Sequence, residues 1–176
     1  MHYLRSIKEN AIKIGMMLFM SLALQVCSNE TTNPAGYNMK NTANPAFNLT
    51  TGGQPSKADL AKMAKNGVKV IVNLRTKSEF NKFDEKKVVE SLGMKYVSIP
   101  IGDDKDFNLN NVNLLDQALA DLKDPAVVYC ASSNRVGGLL ALRENLIKKS
   151  TAQDSLKFGR KAGMRSTEKT VKKLIK

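Results

Sequence analysis

The segment Pro125–Tyr129 constrains the fold of this chain more than any other feature of the sequence. Its residues are apolar without interruption, whereas a strand with one solvent-exposed face alternates apolar and polar side chains. The segment therefore predicts a strand buried on both faces, as strands are in parallel sheets covered by helices. A second run rich in β-branched residues, Val68–Leu74, predicts another buried strand.

Helical segments separate these strands along the chain. Ser56 is an N-cap for a helix over 59–65, and Asn66 and Gly67 end this helix with residue types that tolerate a left-handed backbone. Strands that alternate with helices indicate an α/β fold, a three-layer sandwich whose mostly parallel central sheet is flanked by helices. The other predicted elements are helices over 78–91, 111–122, 136–149, 151–161 and 166–175, and a strand over 95–100.

The first 28 residues have the pattern of a bacterial secretory signal. Three basic residues precede the uncharged segment 14–24, which has 11 residues. A signal-peptide core needs about 7 to 15 apolar residues and a membrane-spanning helix about 20. We therefore expect a signal peptide over 1–28 and export to the periplasm, with an uncleaved anchoring helix as the alternative.

Two features follow this leader. Residues 24–27 also resemble a bacterial lipoprotein box, in which Cys27 would be lipidated and would anchor the chain to a membrane facing the periplasm. Residues 29–46 are rich in Asn, Thr, Pro and Ala, and we interpret them as a flexible linker before a domain over 47–176.

The segment Val127–Val136 runs from the buried strand through a loop of small residues into a helix. A loop of this shape at a helix N-terminus points backbone N–H groups into one concavity, and the helix dipole adds positive potential there. The pattern therefore predicts a site for a tetrahedral oxyanion. The predicted anion-binding residues are Ala131, Ser132, Ser133, Asn134, Arg135 and Val136.

Cys130 and Arg135 stand at the two ends of this loop. The guanidinium of Arg135 can donate to two oxygens of a phosphate or sulfate. The same donors favour the thiolate form of Cys130, which is a nucleophile. The alternative is structural, with Cys130 a small buried side chain and Arg135 a surface charge.

Five blocks of the chain carry a family resemblance: Thr51–Ser56, Val70–Arg75 with Glu79, Tyr96–Pro100, Tyr129–Arg135 and Phe158–Met164. Together they resemble the beta-lactamase-hydrolase-like phosphatases, a dual-specificity-phosphatase-like family. The resemblance covers about residues 47–176 and implies a cysteine-phosphatase fold that needs no metal and no cofactor. It also implies that Cys130 is the nucleophile and that Arg135 binds phosphate.

The loop departs from the usual pattern of cysteine phosphatases at two points. Ser133 stands where family loops often have glycine, so a residue with a Cβ must make one turn of the backbone. Cys130 and Arg135 enclose four residues, whereas ordinary cysteine phosphatases have five there. Four is the spacing of rhodanese-type sulfurtransferases, so a persulfide carrier and a non-catalytic phosphoanion-binding module are alternatives to a phosphatase.

A phosphatase also needs an acid that protonates the leaving oxygen. Asp103, Asp104 and Asp106 follow the strand over 95–100, and the sequence does not choose among them. The only histidine, His2, lies in the leader, which excludes a Cys–His hydrolase and histidine metal sites from the mature chain.

Arg75 ends a buried strand. The sequence leaves two interpretations of its guanidinium. Either it approaches an anion, or it forms an ion pair with a carboxylate such as Glu79.

The net charge of +12 is concentrated at the C-terminus. Residues 148–176 carry 10 basic and 2 acidic residues, whereas residues 29–147 carry 15 basic and 13 acidic residues. We interpret the basic segment as the solvated face of C-terminal helices rather than a nucleic-acid site. We expect a monomer that acts on a small-molecule or protein phosphoester, with membrane contact only through the leader or a lipidated Cys27.

Overall fold

The computed structural model describes residues 36–79 and 83–175. Five strands form one sheet in the order β1-β2-β5-β3-β4. The strand β1 is antiparallel to β2, and the other neighbouring pairs are parallel. The strands are β1 (Ala43–Ala46), β2 (Leu49–Gly52), β3 (Val70–Asn73), β4 (Lys95–Ser98) and β5 (Ala126–Tyr129).

Within the described residues, six α-helices cover the two faces of this sheet. They are α1 (Lys57–Lys65), α2 (Glu85–Ser91), α3 (Leu109–Leu119), α4 (Asn134–Leu146), α5 (Ala152–Lys161) and α6 (Glu168–Leu174), and short 3-10 turns lie at Lys77–Glu79, Asp104–Asp106 and Ala120–Leu122. None of the helices within the described ranges is long and apolar enough to span a membrane.

The central strand β5 is buried on both faces, as its uninterrupted apolar sequence predicts. Val128 packs with residues of α3, α4 and α6, and Val127 packs on the opposite face with residues of α1 and α2. Both side chains are fully buried, and each such side chain contributes about 1.5–3 kcal/mol through the hydrophobic effect. The arrangement confirms the α/β sandwich with a mostly parallel sheet.

The edge strand β1 lies where the sequence predicts a flexible linker. Tyr37 and Met39 are also buried before it, at 4% and 7% exposure. Residues 43–46 have no hydrophobic periodicity, so the sequence interpretation was wrong for them. Pairing with β2 and a hydrogen bond from Lys161 Nζ to Pro45 O (3.0 Å) hold this strand. A proline fits here because β1 is an edge strand.

The helix predicted over 78–91 is shorter in the structure. Asp84 accepts a hydrogen bond from Lys87 N at 3.0 Å and so begins α2 at Glu85. Before it lie the 3-10 turn Lys77–Glu79 and residues 80–82, which are outside the described ranges. The predicted signal peptide and lipidated Cys27 also lie outside the described residues.

The parallel pairing brings four chain segments to one edge of the sheet. In the register of the strands Tyr129 lies beside Gly52 and Asn73, and Asn73 lies beside Ser98. The segments that follow these residues therefore leave the sheet side by side, and ligand sites in α/β sheets lie outside such carboxyl ends.

Candidate active site

Cys130 is the first residue after β5. Its backbone N–H donates to Gly52 O at 3.3 Å, and only 1% of the residue is exposed. Cys130 is a free thiol that packs against the core cluster on the side of α3, α4 and α6. The thiol therefore lies at the carboxyl edge of the sheet, where the loop begins.

One wall of the loop is the segment that follows β2. Gly53 pairs with Ser132 in an isolated antiparallel bridge, and a Cβ at Gly53 would lie 2.9 Å from Ala131 O. The amide of Asn41 donates to Ser132 O at 2.9 Å. Glycine is therefore required at position 53 for this close approach of two backbones.

Ser133 makes the turn from the loop into α4. Its backbone is left-handed, with φ 68° and ψ −8°, and Asn134 begins the helix immediately afterwards. A left-handed residue beside a right-handed one aims successive N–H groups into one concavity, and the N-terminus of α4 adds its own N–H groups. Ser133, a residue with a Cβ, therefore makes the backbone turn that the sequence predicts at this position.

The guanidinium of Arg135 is held by the carboxylate of Glu79. Nη1 and Nη2 of Arg135 donate to Oε2 and Oε1 of Glu79 at 2.8 and 2.6 Å, and Nη1 also donates to Ile101 O at 2.8 Å. Thr76 N donates to the same carboxylate at 2.9 Å. Hydrogen bonding to Arg135 is the main cause that lowers the pKa of Glu79 from 4.5 to about 2.

Cys130 contributes to the electrostatics of this guanidinium. The hydrogen bonds with Glu79 are the main cause that raises the pKa of Arg135, and the charge of Cys130 and a hydrogen bond to it raise that pKa further. The two residues at the ends of the loop therefore interact electrostatically.

The remaining loop residues contribute in different ways. The side chain of Asn134 is bonded to residues 165–167, which follow α5. Val136 is fully buried in the core, so only its backbone faces the loop. Ala131 is exposed at the rim.

The three aspartates lie in the loop that follows β4, and their bonds differ. Oδ2 of Asp106 accepts from Gly102 N at 2.6 Å and from Asp103 N at 3.2 Å, so this carboxylate holds the loop together. Asp103 Oδ1 accepts from Lys105 N at 2.7 Å. Asp104 is exposed, and its side chain makes no hydrogen bond among the described residues.

Arg75 forms the ion pair with Glu79 that the sequence predicts and a closer one with Glu85. Its Nη1 lies 3.0 Å from Glu85 Oε1, whereas its Nε lies 3.9 Å from Glu79 Oε1. Both side chains of the closer pair are about 4% exposed. The shorter ion pair of Arg75 is therefore the buried one with Glu85, whereas Glu79 makes its short contacts with Arg135.

Sequence reasoning missed Glu85, the first residue of α2. Besides Arg75, its carboxylate accepts from Tyr129 at 2.7 Å and from Gln54 and Asn73 at 2.9 Å. Burial and then the charge of Glu85 raise the pKa of Tyr129 far above its usual range, so the phenol remains a donor. No signal in the sequence marks Glu85, because its partners come from three distant blocks. Gln54, which lies between β2 and α1, belongs to this network.

No group of three or more potential metal ligands occurs within residues 36–79 and 83–175. A five-stranded α/β fold in which a cysteine begins the loop before a helix is the architecture of the cysteine-dependent phosphatases. The sequence model of the family described as "DSP-PTPase phosphatase fused to NAD+ Kinase" matches residues 25–175, and the chain belongs to this family. This membership confirms that the protein is a cysteine-dependent phosphatase.

Solved structures of phosphatases share the fold. A candidate phosphatase from Neisseria meningitidis is 20% identical, with a TM-score of 0.61 over 74% of this chain and 94% of that one. A candidate phosphatase (DUF442) from Shewanella putrefaciens is 21% identical, with a TM-score of 0.60 over 78% and 92%. TpbA from P. aeruginosa is 18% identical, with a TM-score of 0.54 over 81% and 84%. No curated protein sequence matches this chain.

Proposed function

We propose that Cys130 is the nucleophile of a phosphomonoesterase of the protein tyrosine and dual-specificity type. The observation that carries the proposal is that Cys130 begins, at the carboxyl end of β5, a loop that passes through the left-handed turn at Ser133 into α4, where Arg135 lies. In the first step the thiolate forms a bond to phosphorus, and the bond from phosphorus to the leaving oxygen breaks. Water then attacks the phosphocysteine, the S–P bond breaks, and inorganic phosphate leaves with the thiolate restored.

The geometry of Arg135 suits it to hold two phosphoryl oxygens. A guanidinium has five N–H donors in a planar fork. Glu79 and Ile101 O take three of them, two on Nη1 and one on Nη2. The described hydrogen bonds leave Nε–H and the second Nη2–H, which point in parallel from one edge of the group. Glu79 covers the end of the fork, so this other edge is the one that can approach Cys130 and a bound phosphoryl group.

We assign the general acid to the loop after β4, and within it to Asp104. Ile101 O accepts from Arg135, so the start of this loop lies beside the phosphate site. Asp106 and Asp103 use their carboxylates to hold the loop. The exposed carboxylate of Asp104 takes no part in these hydrogen bonds, so we assign to it the proton given to the leaving oxygen and the proton later accepted from the attacking water.

The nucleophile is tested with p-nitrophenyl phosphate and with thiosulfate plus cyanide, on purified protein beside Cys130→Ser. We expect turnover of the phosphoester alone and its loss in the variant. Turnover of thiosulfate alone would identify a sulfurtransferase carrying a persulfide on Cys130. Binding of phosphate without turnover of either substrate would identify a non-catalytic phosphoanion-binding module.

The acid is tested by comparing phenyl phosphate with p-nitrophenyl phosphate. The nitrophenolate leaves readily without a proton, whereas phenolate needs one. We therefore expect Asp104→Asn to lower kcat about 100-fold on phenyl phosphate and much less on p-nitrophenyl phosphate. Asp103→Asn is the matched control, and a larger selective loss in that variant would move the acid to Asp103.

The substrate we propose is a phosphomonoester on a protein or a small molecule. TpbA from P. aeruginosa has been crystallised with phosphotyrosine in a Cys→Ser form, which supports phosphotyrosine peptides as the first substrates to try. Efficient turnover of small phosphoesters with no turnover of phosphopeptides would favour a small-molecule substrate.

We also propose that the chain is exported and monomeric. The charged N-terminal region and the uncharged segment 14–24 support export. Cell fractionation and mass spectrometry of the mature N-terminus test this proposal, because cleavage after Ser28 yields Asn29 as the first residue. A lipidated Cys27 would place the enzyme on a membrane, and an intact Met1 in the cytoplasmic fraction would refute export. Light scattering measures the oligomeric state.

A further inference from the structure

The active-site loop is hydrogen-bonded to the connection between α5 and α6, a segment that lies far along the chain. This connection comprises residues 162–167. Asn134 Oδ1 accepts from Arg165 N at 2.7 Å and from Thr167 N at 3.3 Å, and Asn134 Nδ2 donates to Ser166 Oγ at 2.8 Å. Both Oδ1 and Nδ2 of Asn134 are thus hydrogen-bonded to the connection.

Thr167 holds the backbone of the same residue. Its Oγ1 lies 3.0 Å from Asn134 O and 3.1 Å from Asn134 Oδ1, and the hydroxyl donates its proton to these acceptors. Asn134 is the first residue of α4. The Thr167 hydroxyl therefore fixes the peptide that immediately follows the left-handed turn.

Ser133 and Gly163 fit each other sterically. Ser133 Oγ donates to Ala162 O at 2.8 Å. Gly163 has φ 104°, and a Cβ placed there would lie 2.6 Å from Ser133 Cβ and 2.7 Å from its Oγ. Only glycine at position 163 leaves room for the Ser133 side chain. Without this side chain the loop would lose its hydrogen bond to the connection.

The connection is itself rigid enough to restrain the loop. Ala162 and Met164 are fully buried or nearly so, at 0% and 1% exposure. A Cβ at Gly137 in α4 would lie 2.2 Å from Met164 N and 2.5 Å from Gly159 O. The first turns of α4 therefore lie in backbone contact with the end of α5.

We propose that Gly163 and Thr167 are positioning residues for the phosphate site. A left-handed backbone is unfavourable for serine, so an unrestrained loop would tend to leave this conformation. The connection prevents this by holding Ser133 through its side chain and Asn134 through its amide and carbonyl. The N–H groups on either side of the turn consequently stay aimed at one point. This inference depends on the proposed binding of phosphate by the loop.

The first test compares Thr167→Val with Thr170→Val in the full chain. Valine keeps the shape of threonine and removes the hydroxyl. Thr170 is a matched control because it lies in α6 and has no hydrogen bond to the loop among the described contacts. The readouts are the Kd of tungstate, a tetrahedral oxyanion, by calorimetry, together with kcat and KM on p-nitrophenyl phosphate and the Tm.

Thr167→Val should weaken tungstate binding and lower kcat about tenfold each, because small displacements of a catalytic site are costly. Its Tm should match that of Thr170→Val. A purely structural role would lower the Tm and leave the Kd and kcat of the folded protein unchanged. Equal tungstate affinity in the two variants would show that Thr167 does not position the loop.

The second test uses the steric contact between Ser133 and Gly163 and does not depend on Thr167. Gly163→Ala should lower kcat/KM on p-nitrophenyl phosphate about 100-fold, because its new methyl group collides with Ser133. Adding Ser133→Gly removes that collision and supplies a residue that adopts the left-handed conformation freely. We expect the double variant to recover about tenfold in kcat/KM. No recovery in a folded double variant would refute the coupling.

The native chain separates this inference from the proposed function. Tungstate binding without turnover would refute Cys130 as a working nucleophile, and the Thr167 comparison would still decide the positioning role. A native chain that neither binds tungstate nor turns over phosphoester would overturn both.

Discussion

Glu79→Gln should destabilise the protein in a way that depends on pH. Glutamine keeps the shape of glutamate, but its amide cannot accept from both Nη1 and Nη2 of Arg135. The native pair has N–O distances of 2.6 and 2.8 Å, and 29% of the Glu79 side chain is exposed. The substitution therefore removes a well-aligned, partly screened ion pair.

The magnitude follows from the pKa of Glu79. Its lowering from 4.5 to about 2 corresponds at full value to about 3 kcal/mol, since one pKa unit is about 1.4 kcal/mol. Solvent screening of a partly exposed pair reduces the expected loss at pH 7 to about 1 to 2 kcal/mol. Because the pKa is lower in the folded state, this stability is present above pH 4.5 and is lost as the pH falls towards 2.

The assay is urea unfolding of the native chain and Glu79→Gln at pH 7, 4.5 and 3. The difference in the free energy of unfolding should be largest at pH 7 and should shrink to less than half by pH 3. Glu90→Gln is the control, because the ion pair of Glu90 with Lys86 is longer, at 3.9 Å, and both of its side chains are more than half exposed. The control substitution should change the free energy of unfolding by less than about 0.5 kcal/mol. A Glu79 effect that is constant from pH 7 to 3, or no larger than the control, would refute the reasoning.

Three further substitutions test other parts of the structure. Glu85→Gln should cost about 3–5 kcal/mol in urea unfolding, because it leaves the buried charge of Arg75 without its carboxylate; a loss below 1 kcal/mol would contradict the role of this ion pair. Arg135→Lys should lower kcat/KM about 100-fold or more in phosphatase assays, since an ammonium group lacks the parallel N–H pair, and near-native activity would contradict that role. Gly137→Ala should leave little folded protein by circular dichroism, because its Cβ would lie 2.2 Å from Met164 N, and a native Tm would show that the contact is not tight.

The strands β3, β4 and β5 and the loop could be predicted because their signals are local. The apolar segment Pro125–Tyr129 determines a strand buried on both faces, and β5 occupies Ala126–Tyr129. Ser56 begins α1 through a hydrogen bond with Asp59, three residues away. In each case the determining contacts lie within a few residues, so the pattern itself carries the information.

Other elements could not be predicted because their stability comes from distant partners. The strand β1 has no hydrophobic periodicity and exists because β2 and Lys161 supply its hydrogen bonds. The ion pair of Arg75 with Glu79, four residues away, could be predicted, but the closer carboxylate, Glu85 on α2, could not. A sequence pattern does not show which of two nearby carboxylates a folded chain brings within 3 Å.

The sequence by itself determined that a cysteine and an arginine bracket a strand–loop–helix turn, because hydrophobic runs and turn residues act over short distances. Only the tertiary structure decided what makes that turn a site. Glu79 reaches Arg135 across 56 residues of sequence, and Ser133 reaches Ala162 across 29. Such pairings depend on how the sheet register and helix packing place distant segments, and hydrogen bonds form only when that placement is correct to within a fraction of an ångström.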